Sequence, residues 1–158
     1  MIETAIERDF AGGRFFFALN ALAVIAVEKG PLSPALRSRE YPVSIFKIYD
    51  ELSAGVGIDK QTEQAVMLPG ANVFYGDLHH ILERALICAG SGERDGEEFK
   101  VEDRMASRLV NDYLPRHIEA CALLVWDILH STIKGIDLKK NPPAAVTETP
   151  PLSGEANS

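Results

Sequence analysis

Cysteine is scarce in this chain, and Cys88 and Cys121 stand too far apart for a CxxC pair or any zinc-finger spacing. Both fall in helical apolar runs, so no disulfide framework is implied and buried thiols in a reducing compartment are expected. Long hydrophobic runs are missing too. The most apolar window, residues 15–27, is interrupted by Asn20, and a spanning helix needs roughly 20 residues. Its upstream flank mixes Glu3, Glu7 and Asp9 with Arg8 and Arg14, unlike the positive start of a secretory signal. The expectation is a cytoplasmic protein with no membrane partner. Positive charge is in short supply: 16 Lys and Arg against 23 Asp and Glu leave a net charge of -7. Phosphate binding needs a basic surface, so nucleic acid is not an expected partner. GxGxxG, phosphate-loop, GxSxG and HExxH patterns are all lacking, which sets enzymatic chemistry at a disadvantage.

What is present is the composition of an ordinary globular domain, 46% hydrophobic and 25% charged over 158 residues. The material is unevenly spread. Residues 136–158 hold four of the nine prolines and no aromatic residue, so they cannot bury enough surface to offset chain entropy. A disordered tail is expected there, and residues 1–135 remain as one domain large enough for a real core.

The fold class expected is α+β, mainly helical with an N-terminal β-hairpin. Residues 4–8 and the period-two positions Phe15, Phe17 and Leu19 flank the turn residues Ala11-Gly12-Gly13. Asn20 can cap a first helix over 21–29, which Gly30-Pro31 ends; it is apolar on almost every side, as a buried helix would be. Ser44 can cap a second helix over 45–54, with Ile45, Ile48, Tyr49 and Leu52 on one face. Residues 59–67 fit either another helix or an excursion. Asp77 is placed as the cap of an amphipathic helix that runs to Ala89, and residues 90–98 read as a polar surface loop. A fifth segment spans 101–114 with Met105, Leu109, Val110 and Tyr113 as its stripe. Pro115 then leads into the longest helix, 118–134, closed by Gly135.

The strongest catalytic pattern is a pair of Asp-x-x-His spacings, Asp77 with His80 and Asp127 with His130. Helical di-metal sites use Glu-x-x-His twice and need two further carboxylates. Asp is shorter than Glu, and capping and dipole roles explain Asp and His near helix ends, so no metal, cofactor or catalytic residue is expected. His79, His80 and Glu83 are expected on a solvated face. The apolar run 120–126 covers all sides of two helical turns, which fits a central helix or one with a side left for a partner.

Several of these segments, in this order, resemble the tail assembly chaperones of long-tailed phages, nearest to the gene-transfer-agent branch. They are the Gly-centred hairpin, the Asn-Ala-Leu helix ending in Glu-Lys-Gly, Ser-Ile-Phe-Lys-Ile-Tyr-Asp-Glu-Leu, and Asp-Leu-x-x-Ile-Leu-x-x-Ala-Leu. Lys100-Val101-Glu102-Asp103 matches the start of the segment that follows the family's middle helix. The likeness covers roughly residues 6–135; residues 32–42 and 56–72 are longer than the compact family pattern. It implies a non-enzymatic protein of the host cytoplasm that binds the helical tape measure protein during virion tail assembly, with several copies lining one partner and self-association in reach. It also implies a frameshifted longer product touching the tail tube protein, with Lys139-Lys140 over the slip. The partner surface expected is Phe15 and Phe17 of the hairpin, Ile45, Ile48 and Tyr49 of the second helix, and Leu124, Val125 and Trp126 of the last. The alternatives are a helical metal-dependent enzyme using the Asp-x-x-His pairs, and a bacterial adaptor domain with no phage connection.

Overall fold

Alternation at the N-terminus produces the hairpin. Strand β1 (Ile6–Phe10) and strand β2 (Gly13–Phe17) join through Ala11-Gly12, both at positive φ, as a two-residue hairpin turn requires. Pairing runs from Ile6 opposite Phe17 to Phe10 opposite Gly13, and Phe10, Phe15 and Phe17 are all buried. The computed structural model describes residues 2–135; the tail expected to be disordered, 136–158, lies outside them, with Lys139-Lys140.

Helix α1 (Ala21–Lys29) begins where Asn20 accepts from the Ala23 amide at 2.9 Å and ends at Gly30. It rests on two later helices along part of its surface only: Val27 is buried, whereas Leu22 is 77% exposed and Ile25 48%. The all-round burial expected from its composition is therefore corrected. Helix α2 (Ile45–Gly55) is capped by Ser44 and buries Ile45, Ile48 and Leu52.

Residues 59–67 form no helix. Strands β3 (Val56–Ile58) and β4 (Ala65–Met67) make a separate two-stranded hairpin, and Asp59 accepts from the amides of Gln61 and Thr62 in its turn.

Helix α3 (Tyr75–Ala89) packs on β2, α1 and the two helices that follow it. Its N-cap is Phe74, so Asp77 lies inside the first turn and is buried, which corrects the capping role expected for it. Residues 90–98 are not a loop either. Strands β5 (Ser91–Arg94) and β6 (Glu97–Lys100) close on Asp95-Gly96, both at positive φ, and β5 pairs antiparallel with β2. The sheet order is β1-β2-β5-β6.

Helix α4 (Asp103–Tyr113), a 3-10 turn (Leu114–Arg116) and helix α5 (Ile118–Lys134) complete the domain. Helix α5 contacts α2, α3, β1 and β4, and within its apolar run Cys121, Ala122, Leu124 and Val125 are buried. The architecture is α+β with helix predominating. Among the described residues no helix is long and apolar enough to cross a membrane.

Candidate functional site

A groove of about 1020 Å³ opens between the β5–β6 hairpin and α4. Its floor is aromatic because three strands align: Phe15 lies opposite Gly92, and Gly92 lies opposite Phe99. Helix α4 supplies the wall with Met105 and Leu109, one turn apart, while Ala106 and Val110 turn into the core. Arg108 and Asp112 repeat that spacing at the lip, and Arg94, Asp95, Glu97 and Glu98 line the hairpin side. Arg94 also donates to the Ala11 carbonyl at 2.8 Å, which fixes the two hairpin tips together. The result is an apolar trough with both signs of charge around it.

Most of the residues expected to bind a partner lie elsewhere. Phe17, Ile45, Ile48, Leu124 and Val125 belong to the core, as does Phe15, although one side of Phe15 reaches the groove. Their burial takes them off the free surface, because central packing consumes the apolar run of α5. Tyr49 and Trp126 are half-buried and sit with His130 in a stack of rings; Trp126 lies 4.7 Å from His130 and 6.0 Å from Tyr49. The Tyr49 hydroxyl meets His130 Nδ1 at 2.7 Å, and the Trp126 indole donates to Ser53 Oγ at 2.8 Å. These contacts bind α2 to α5.

The Asp-x-x-His residues are engaged separately. Asp77 accepts from the Tyr41 hydroxyl and lies 3.3 Å from Arg39, which also pairs with Glu51. Burial pushes the Asp77 carboxyl above its ordinary value, while the Tyr41 bond and Arg39 oppose that shift. Asp127, raised by burial in the same way, lies 3.4 Å from Arg8. His80 meets the Ala26 carbonyl at 3.0 Å and His79 meets Asn111 at 2.7 Å. Both histidines are buried, which corrects the solvated face expected for them: α1 and α4 close over that side of α3. Among the described residues, no group of three or more His, Cys, Asp and Glu is placed to hold a metal ion. Cys121 is buried, and that burial pushes its thiol up to about 12, so it is inert as a nucleophile at neutral pH.

Compared with family models, curated proteins and solved structures, the chain matches none. Met105 and Leu109 were legible as a stripe. Phe99 was not, and the signal that finds it is the Asp95-Gly96 pair, a two-residue hairpin turn.

Proposed function

We propose that this chain is a tail assembly chaperone of a phage or prophage, which holds a helical segment of the tape measure protein in the groove between β5–β6 and α4. The observation that carries the reading is the trough lined by half-buried Phe99, Met105 and Leu109 over the buried ring of Phe15, open to solvent beside rims of mixed charge. An amphipathic helix inserts apolar side chains at i, i+3, i+4 and i+7 into such a trough, and its flanking charges meet the rims. The order of segments from the N-terminal hairpin to α5 supports the same family reading. Exposed Leu22 and Ile25 on α1 offer further apolar surface to a long partner.

Tape measure helices expose apolar stripes that aggregate until the tube forms around them. The test is co-expression with an aggregation-prone tape measure fragment from the same gene neighbourhood. Wild-type chain is expected to move that fragment into the soluble fraction, and Met105→Glu to leave it in the pellet. Equal aggregation with and without the chain contradicts the reading.

A further inference from the structure

Among the described residues, β1 and β6 are the two edge strands of the sheet, and they differ in their chemistry. In a hairpin closed by a two-residue turn, the residues flanking the turn exchange both backbone bonds, and every second residue points away from the partner strand. The Asp95-Gly96 turn therefore directs the backbone groups of Glu97 and Phe99 towards β5, and those of Glu98 and Lys100 outward. The bond from the Val101 amide to the Gly90 carbonyl, at 2.9 Å, continues that alternation. By the same rule the Ala11-Gly12 turn leaves Glu7 and Asp9 facing outward on β1. One edge presents two acids; the other presents an acid and a base.

We propose that β6 is the seam of a two-fold homodimer, in which a second copy of this chain adds its own β6 antiparallel. Antiparallel pairing sets outward residue against outward residue, which leaves registers centred on residue 98, 99 or 100. Centring on 98 sets Glu98 against Glu98, and centring on 100 sets Lys100 against Lys100. Centring on 99 sets each Glu98 against the Lys100 of the other copy, and each such pair exchanges both backbone bonds. Phe99 then meets its counterpart on the axis, an aromatic cross-strand pair.

Glu98 carries a further reason for this register. It already lies opposite Glu93 across the hairpin, a like-charge pair that a lysine on its open side offsets. Both Glu98 and Lys100 are exposed, so neither is committed to the core. The β1 edge cannot do the same, because any copy of it meets Glu7 or Asp9 with another acid. A two-fold axis normal to the sheet places both grooves on the same side. The inference stands on edge chemistry alone and does not depend on the chaperone reading.

Sedimentation equilibrium of the full chain, from about 1 to about 500 µM to span micromolar affinities, tests it. Wild type is expected to pass from monomer to dimer over that range. Glu98→Lys and Lys100→Glu, each of which sets like charges in both pairs, are expected to weaken the dimer at least about tenfold while leaving the circular dichroism spectrum unchanged. An equimolar mixture of the two variants restores both opposite-charge pairs and is expected to re-form a dimer. Wild type that stays monomeric, reversals that leave the affinity unchanged, or a mixture that stays monomeric would each overturn the proposal.

Discussion

Phe15 and Phe99 meet edge to face, with ring centroids 5.7 Å apart and planes at 70°, across the strand that carries Gly92 between them. A Cβ on Gly92 would stand 2.5 Å from Phe15 Cδ1, so the absence of a side chain there lets the two rings close over the backbone. This contact joins the two hairpins on one face and makes the floor of the groove.

Gly92→Ala is therefore expected to destabilise the domain by about 1–3 kcal/mol, the usual cost of forcing extra volume into a packed site. The direction opposes the usual gain of replacing a strand glycine. Urea unfolding of the two proteins measures it, and a variant at least as stable as wild type would contradict the packing described.

The same contact explains why part of the sheet was illegible in the sequence. Strand alternation is read from apolar side chains, and on β5 the inward position opposite Phe15 is a glycine, while β6 contributes Phe99 alone among charges. The segment reads as a polar loop although Asp95-Gly96 carries a hairpin signal. Helices α1, α2 and α5 were readable to within a residue because most of their ends carry a chemical signal: Asn20 and Gly30 for α1, Ser44 for the start of α2 and Gly135 for the end of α5. Gly55, expected as the stop of α2, is instead its buried last residue, with Val56 at the cap, and Pro115 lies in the 3-10 turn before α5. Asp77 was misplaced for a different reason. Its partners Arg39 and Tyr41 come from a distant loop, and no local pattern announces a buried carboxylate. Of the eight residues expected to face a partner, six are buried in the core, since apolar residues that build a core and those left on a surface look alike in one dimension.

Arg39 is nearly buried between Asp77 and Glu51, with its guanidinium 4.5 Å from the Phe74 ring. Arg39→Met leaves Asp77 with the Tyr41 hydroxyl and Glu51 with the exposed Lys47 but removes the cation between the two carboxylates, and is expected to cost about 3 kcal/mol. Asp77→Asn in the same chain removes one of those two charges, so the double variant is expected to be less destabilised than the two single losses added together. Thermal and urea unfolding of the four proteins form the cycle; strict additivity would show that Arg39 and Asp77 act independently.

Acid should loosen the fold through its histidines. His80 is held below the ordinary imidazole value by burial, against the opposing bond to Ala26, and His130 is lowered by burial and by Lys134. Below about pH 6.5 the unfolded chain thus binds more protons than the folded one, and unfolding becomes easier as pH falls from about 7 to about 5. Asp77 and Asp127, raised by burial above 3.8, take up protons first in the folded chain and offset part of that loss at lower pH. His80→Gln retains a donor for the Ala26 carbonyl and is expected to flatten the decline between pH 7 and 5. An unchanged slope in urea midpoints would remove His80 from the account.

The proposal that a helix occupies the groove is tested most directly by calorimetric titration of a soluble helical peptide from the tape measure protein into the wild-type chain and into Leu109→Glu. Leu109 is half-buried on the groove wall, so the charge disturbs the trough while Ala106 and Val110 continue to anchor α4. The account predicts saturable binding to wild type and at least about tenfold weaker binding to the variant, a loss of about 1.4 kcal/mol or more. No binding to wild type, or equal affinity for the two proteins, would contradict it.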